Sequence, residues 1–178
     1  EDAVTHSDDP ELALRLGSLY AQVDMPVHAL RLLRDLEPST LPPLMNQAVS
    51  ESVSLLGDDL TVHAQKAGLT EEKAGRTLLR FERGRRALIT GDFATCIQAN
   101  RRVIQVYDDW PSPRNNLAMA LFFDGQPEEA LEQIALSLES DPDNVHALGL
   151  GVRYLTWFGR EDEALEMWQR LEKSSTRD

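Results

Sequence analysis

The apolar positions of this 178-residue chain recur at helical spacing along most of its length. Leucine, isoleucine, valine or alanine returns every three or four residues, which is the pattern of an amphipathic helix with one buried face. Short breaks that contain proline, glycine or aspartate interrupt this pattern at regular intervals. The pattern therefore predicts an all-α fold of short helices joined by tight turns.

Within residues 110–170, one helical pattern is written twice. The sequence Gly-Gln-Pro-Glu-Glu-Ala-Leu-Glu begins at Gly125, and Gly-Arg-Glu-Asp-Glu-Ala-Leu-Glu begins at Gly159. Ala130 and Ala164 share this spacing. A fixed period of about 34 residues is typical of stacked two-helix units, because a single helical hairpin buries its apolar face only against the next one.

Read in order, the chain predicts a helical hairpin over residues 11–36 that Asp9 caps. A helix over residues 44–56 follows, which Gly57 is expected to end, and then a shorter helix over residues 60–67. Further helices are predicted from a cap at Thr70 to a break at Gly91, and over residues 93–107, 115–123, 128–138, 145–158 and 161–171. The tail from Lys173 has no periodicity and is expected to fray.

These residues resemble the tetratricopeptide repeat (TPR) family. The turn glycine of that pattern falls at Gly91, Gly125 and Gly159, with Asp24 in its place in the first unit. The small residue of the second helix is Ala29, Cys96, Ala130 or Ala164, and an aliphatic residue follows each time: Leu30, Ile97, Leu131 and Leu165. The resemblance implies a right-handed superhelix of stacked antiparallel helix pairs, that is, a TPR-like α-solenoid.

The resemblance also divides the chain. It implies an N-terminal extension over residues 1–9 and TPR units over residues 10–43, 77–110, 111–144 and 145–178, the last with a frayed tail. Residues 44–76 lack the paired alanine and leucine of the other units, and we expect a degenerate helical repeat there.

In this family, the first helices line a concave groove that binds peptides or partner helices. The positions that face the groove give the candidate binding residues Arg85, Asn115, Asn116, Met119, Phe122, Phe123, Arg153 and Trp157. Arginine and asparagine can hold a carboxylate and main-chain groups, while aromatic rings accept apolar side chains. Of the family's carboxylate-clamp positions, Asn116 matches, whereas Phe81 and Arg85 depart. The alternative is that the arginines are solvated or paired with Glu82 and neighbouring acids.

The net charge of −12 is unevenly distributed. Residues 76–106 carry seven arginines against two acids, and both flanking segments are acidic. This basic belt is interpreted as a solvated face or as a docking surface for an acidic protein. Because the flanking acids would repel phosphates, nucleic acid is not an expected partner.

No other chemistry emerges from the residue pattern. A single cysteine excludes an internal disulfide, and Cys96 is expected to be a packed thiol. The four histidines have no metal-ligand spacing, and there is no phosphate-binding glycine loop or nucleophile elbow. We therefore predict no metal, no cofactor and no enzymatic activity. No apolar run reaches the roughly 20 residues that span a bilayer, so no membrane partner is expected.

The leading hypothesis is a non-catalytic scaffold or adaptor that binds a peptide or partner helix, an acidic one included, in the groove. The alternative is a structural or self-association module of a larger protein whose activity lies outside this chain. A homodimer through the terminal repeat would fit this alternative. No polar helix after Leu171 covers the last seam, that is, the apolar face on which a following repeat would pack, and Trp168 is expected to pack there. The chain begins at Glu1 without a methionine, so the sequence does not fix the cellular compartment, and cytoplasm is the default expectation.

Overall fold

The computed structural model describes residues 9–23, 25–34, 36 and 41–175. These residues form helices and turns without a strand, which confirms the all-α prediction. The helices are α1 (Pro10–Gln22), α2 (Pro26–Arg34), α3 (Pro43–Lys66), α4 (Glu71–Ile89), α5 (Phe93–Ile104), α6 (Pro111–Phe123), α7 (Pro127–Ser140), α8 (Val145–Trp157) and α9 (Glu161–Ser175). Most of the predicted N-terminal extension, the turn position Asp24 and the last three residues lie outside the described residues.

The chain divides into two compact units, Glu1–Glu82 and Arg83–Asp178, and the boundary falls inside α4. We call them unit 1 and unit 2. The boundaries read from the repeat pattern are a finer division than this one, and they stay predictions.

In unit 1, α1 packs on α2, and α2 packs on α3. Asp9 caps α1 as predicted, since its carboxylate accepts hydrogen bonds from the backbone N–H groups of Glu11 and Leu12. Gly17 lets the first two helices approach closely, because a Cβ atom added there would lie 2.8 Å from Leu33 Cδ2. Leu33 in turn belongs to a buried cluster with Leu41, Val49 and partly buried neighbours.

The predicted helix break at Gly57 is wrong. α3 runs without interruption for 24 residues, and Gly57 lies within it. The helix ends instead at Gly68, whose φ is +61°, and the following N–H of Leu69 donates to the Ala64 carbonyl. Glycine costs an interior helical position only about 0.5–1 kcal/mol relative to alanine, which does not suffice to end a helix. Gly68 ends α3 because it adopts the left-handed conformation that a helix stop requires.

A buried carboxylate holds the start of α2. Glu82 on α4 is 1% exposed, and it accepts hydrogen bonds from the backbone N–H groups of Val27 and His28, at 2.7 and 3.0 Å. The ring nitrogen Nδ1 of His28 also contacts this carboxylate. The first N–H groups of a helix have no partner within the helix, so a buried anion there satisfies them and also interacts favourably with the helix dipole. Glu82 thus caps α2 from a distant helix.

Unit 2 is a regular succession of packed helices. α5 packs on α6, α6 on α7, α7 on α8 and α8 on α9, and the first helices α6 and α8 also touch each other. Its continuous apolar core includes fully buried Leu121, Ile134 and Leu148. The predicted turns at Gly91, Gly125 and Gly159 are present, with φ values of +77°, +80° and +69°.

α6 and α9 are each about one turn longer than the residue pattern predicts, whereas α5 ends at Ile104, before its predicted end at residue 107. α6 begins at Pro111 rather than at Asn115, because proline is tolerated in the first turn, where its missing N–H group leaves no bond unmade. α9 continues to Ser175, beyond the predicted start of the frayed tail at Lys173. The Ser174 hydroxyl contributes here, since it hydrogen-bonds the Asp143 carboxylate and the Arg170 carbonyl.

Candidate functional site

Three of the predicted binding residues come together in unit 2 as part of one group of aromatic rings. Phe123 is 57% exposed and stacks on Phe93, and Trp157 is 77% exposed and meets Phe122 edge to face, with ring centroids 6.1 Å apart. Phe122 also stacks on the buried Tyr154, at a centroid distance of 3.9 Å. The structure thus presents an aromatic cluster with a buried base and an exposed rim.

The rings of this cluster come from helix ends that surround the turns. Phe122 and Phe123 close α6, Trp157 closes α8, and Phe93 opens α5. Phe158, the C-cap residue of α8, adds a further ring 6.2 Å from Phe122. Because the repeat places the C-terminal ends of first helices near the following turns, these side chains share one edge of unit 2.

Arg153 places a positive charge on α8, the helix that also carries Tyr154 and Trp157. Its side chain is exposed on α8, one residue before Tyr154. Burial raises the pKa of Tyr154 to about 12, and the Arg153 charge acts in the opposite direction. Desolvation lowers the pKa of His146, and the nearby Arg153 guanidinium lowers it further. Arg153 is therefore close enough to His146 and Tyr154 to affect the pKa values of both.

Asn115 is buried and engaged within the fold. Its amide nitrogen donates to Asn144 Oδ1 at 3.1 Å, and its amide oxygen accepts from the Ser137 hydroxyl at 2.8 Å. Asn144 also caps α8 by accepting from the Ala147 N–H. The Asn115 side chain therefore links α6, α7 and the start of α8, and it is not exposed to a ligand.

The remaining predicted residues lie at intermediate depth. Met119 is half-buried and packs against the core of unit 2. Asn116 is half-buried, and its backbone carbonyl lies 3.7 Å from Cys96 Sγ. Arg85 is half-buried on α4, and Phe81, at the other departing clamp position, is buried. As ligand contacts these residues stay predictions.

The family pattern alone missed three members of the cluster, namely Phe93, Tyr154 and Phe158. It assigns binding positions only on the exposed face of first helices. Phe93 follows Gly91 by two positions and Phe158 precedes Gly159, so the signal was the aromatic residue beside each turn glycine. Tyr154 could be assigned to the cluster only from the packing of α8 on α6.

Two further expectations concern tryptophan and cysteine. The repeat pattern predicts that Trp168 packs in a seam, but it is 50% exposed, because no described helix follows α9 to cover it. Cys96 is fully buried as expected, and burial raises the pKa of its thiol to about 11. A thiol with so high a pKa is a poor nucleophile at neutral pH, since the thiolate is the reactive form.

Two arginines of the basic belt form ion pairs. Arg101 pairs with Glu129 at 2.6 Å, and Arg76 pairs with Glu72. Arg80, Arg83 and Arg86 are exposed on α4, and Arg102 is exposed on α5. Exposed ion pairs of this kind contribute little to stability. The two interpretations of the belt, a solvated face or a docking surface for an acidic protein, stay predictions.

Across the described part of the chain, no cluster of three or more histidine, cysteine, aspartate or glutamate side chains could hold a metal ion. The same residues include no helix with both the length and the apolar character needed to cross a membrane.

Comparison with known proteins relates the chain to others through its structure. No protein-family model matches it, and no curated protein is similar to it in sequence. MamA from Desulfovibrio magneticus RS-1 superimposes with a TM-score of 0.59 at 16% identity, covering 97% of this chain and 98% of that one. YrrB, described as a TPR protein with an unusual peptide-binding site, has a TM-score of 0.53 at 15% identity, over 95% and 88% of the two chains.

A second MamA structure matches with a TM-score of 0.55 at 16% identity, covering 96% of this chain and 80% of that chain. At such identities, the likeness establishes the fold. The chain is therefore TPR-like, an α-solenoid of stacked helix pairs, as the spacing of its glycines and alanines predicted.

Proposed function

We propose that this chain is a non-catalytic interaction module whose unit 2 binds a peptide or a partner helix through the aromatic cluster. The observation that carries the proposal is the exposure of Trp157 and Phe123 in a contiguous group of rings. Large exposed rings that are already held in place by packing are typical anchors of protein interfaces, because little side-chain entropy is lost when a partner covers them.

The partner is inferred from the chemistry of the cluster and its neighbour. The rim of Phe123, Trp157 and Phe158 fits one or two apolar side chains, and Arg153 on the same helix as Trp157 suits a carboxylate. The preferred ligand is therefore a segment that carries a large apolar residue and an acidic side chain or a C-terminal carboxylate. Asn115 is left out of the proposed contacts, because both ends of its amide already have partners. The fold shared with YrrB supports a peptide ligand.

The test starts from a displayed peptide library selected against the full chain. Selected peptides are expected to bind Trp157→Ala at least about tenfold more weakly, which is the size of effect of a modest interface anchor. Trp168→Ala is the matched control, because Trp168 is also an exposed tryptophan but lies on α9. Helicity should be unchanged in both variants. Equal affinity for Trp157→Ala and the wild type would refute the proposed site.

The charge is tested separately with Arg153→Ala. Peptides with an acidic group are expected to lose affinity, and the loss should shrink as salt is added, because screening weakens an exposed charge contact. Arg102→Ala removes an exposed arginine from α5 and serves as the control. A salt-independent loss, or an equal loss in the control variant, would exclude Arg153 as the carboxylate partner.

A second candidate function is self-association through the terminal repeat. It is favoured by Leu165 and Trp168 on α9, which are 55% and 50% exposed. The two side chains lie three residues apart on one helix face, and contiguous exposed apolar surface is characteristic of protein contact sites. The test is the solution mass as a function of concentration, and a monomer at all concentrations would remove this candidate.

A further inference from the structure

Each seam between successive repeats of unit 2 joins a second helix to the first helix that follows it: α5 to α6, and α7 to α8. Gly151 on α8 lies in this seam, since an added Cβ would be in ordinary contact, 3.5 Å, with Ile134 Cγ2 on α7; it would lie closer still to Met167 on α9. Gly151 is the seventh residue of its repeat unit. The third, seventh and tenth residues are buried in both α6 and α8: Pro113, Leu117 and Ala120, and Ala147, Gly151 and Tyr154.

α1 carries the same three positions, and no helix among the described residues covers them. They are Leu12, Leu16 and Leu19, counted from residue 10, and all three are apolar. Leu12 and Leu19 are 46% and 56% exposed, whereas their equivalents in α6 and α8 are buried. Val23, just after α1, extends this exposed stripe by one further turn. The outward side of α1 is thus a seam face that no described second helix covers.

α9 presents the other half of such a seam. Trp168 lies one repeat period after Ile134, and Leu165 lies one repeat period after Leu131. Ile134 is fully buried and Leu131 is partly buried against the core, since α8 packs on α7. On α9, the two equivalent positions are apolar and exposed.

We propose that α1 of a second copy of this chain packs on α9 as the next first helix would, which makes the association head to tail. This inference rests on the second candidate function, self-association, and specifies its partner surface. Leu12, Leu16 and Leu19 of one copy would cover Leu165 and Trp168 of the other, in the register that the seams of unit 2 use.

Charge favours this arrangement over a symmetric contact of two α9 helices. α9 has five acids and two bases, whereas α1 has one of each, Glu11 and Arg15, which pair with each other. Two α9 helices face to face would bring like charges together, which is unfavourable. α1 brings apolar side chains without net charge. When two different faces form the contact, a dimer still has one free α1 face and one free α9 face. The assembly therefore grows with concentration or closes into a ring.

The experiment uses sedimentation equilibrium of the full chain and two variants, Leu19→Glu and Trp168→Glu, up to concentrations on the order of 0.1 mM. Each variant retains one of the two faces. Head-to-tail association predicts that the wild type exceeds the monomer mass and that each variant alone stays monomeric. It further predicts that an equimolar mixture reaches twice the monomer mass and no more. Leu55→Glu on α3, an exposed leucine outside both faces, should behave as the wild type.

The alternatives give different patterns. If Leu19→Glu alone dimerises, two α9 faces associate with each other, and the head-to-tail contact is refuted while self-association stands. A wild type that is monomeric throughout refutes both. Peptide binding by the aromatic cluster, measured on the same variants, is expected to be intact in every case, so failure of that function is seen separately.

A second measurement does not depend on charge insertion. Leu19→Cys and Trp168→Cys are made in separate chains, and Cys96 is buried. Mixing them under mild oxidation should form the mixed disulfide in preference to either homodimer. A Trp168→Cys homodimer as the main product would contradict the proposed register.

Discussion

The two units of this chain use the same helix-ending hydrogen bond, but they place it differently along the repeat. In unit 2, each turn inside a pair repeats one motif, a glycine with positive φ followed by an N–H group that donates to the carbonyl at the fifth preceding position. These bonds join Asp92 to Ala87, Gln126 to Leu121 and Arg160 to Leu155, at 2.8, 2.8 and 2.9 Å. In unit 1 the same bond follows α1, from the Met25 N–H to the Tyr20 carbonyl, and α3, at Gly68. Gly57, which lies one repeat period before Gly91, stays inside α3.

Unit 1 also has a long-range contact that a carboxylate makes with a helix start. The Glu82 carboxylate reaches the N-terminus of α2, which is distant in sequence, and it is almost fully buried. The comparison teaches that a repeated local signal can end helices in both units. A cap that a distant helix supplies is added to this signal, and the repeat period does not predict it.

The largest effect is expected from Glu82→Ala. This change leaves the buried N–H groups of Val27 and His28 without their acceptor, and hydrogen bonds to a charged group are worth more than neutral ones. The free energy of unfolding of unit 1 should fall by about 3 kcal/mol. Urea unfolding measures the loss, and hydrogen exchange of the α2 amides localises it.

Glu72→Ala is the control for that variant, because Glu72 is an exposed acid on the same helix that pairs with Arg76. It should change stability by less than about 0.5 kcal/mol. If both variants lose equal stability, or if exchange accelerates equally in unit 2, then Glu82 is not the specific support of unit 1.

A pair of glycine substitutions should act in opposite directions in the two units. Gly125→Ala places a Cβ at φ +80° and should destabilise unit 2 by about 1–2 kcal/mol. Gly57→Ala lies within α3, with no other atom within 4 Å of the added Cβ, and should stabilise unit 1 by about 0.5–1 kcal/mol. Denaturant unfolding of both variants provides the measurement. Destabilisation by Gly57→Ala would mean that α3 has a break at this residue after all.

The smallest effect concerns the charges near histidine in each unit. His28 in unit 1 contacts a carboxylate, whereas His146 in unit 2 lies near the Arg153 guanidinium. Desolvation and this guanidinium lower the pKa of His146, so the folded state disfavours its proton. Stability from this group is present above the ordinary pKa of 6.5 and declines as pH falls through that value.

NMR titration of the His146 ring should give a pKa below 6.5. Arg153→Ala should raise it only part of the way, because desolvation, the larger cause, is unaffected. Arg102→Ala should leave it unchanged. If Arg153→Ala leaves the pKa of His146 unchanged, then Arg153 does not act on the N-terminal end of α8.

Much of the fold followed from residue spacing. The turns at Gly91, Gly125 and Gly159, the caps at Asp9 and Thr70 and the burial of Cys96 are local or periodic features, and the structure confirms them. The uninterrupted course of α3 through Gly57 could not be predicted in this way. A glycine followed by aspartates has the same composition in a turn and in a helix, and only the backbone conformation distinguishes them.

The candidate site could be predicted only in part. Phe122, Phe123 and Trp157 were found because they occupy repeated positions on first helices. The same rule also selected Asn115, whose amide completes a buried network with Ser137 and Asn144. Periodicity assigns a residue to a helix face, but it does not tell whether a neighbouring side chain already uses its polar atoms.

The sequence by itself determined the all-helical class, the repeat period and the helix ends that glycine or aspartate specifies, because these depend on interactions within a short stretch of chain. Only the tertiary structure decided that Glu82 caps α2, that Phe93 and Phe158 join the rings of Phe122 and Trp157, and that Leu19 and Trp168 stay exposed. These features depend on which atoms meet across distant segments, and burial of a charge or exposure of a ring exists only once those segments are packed.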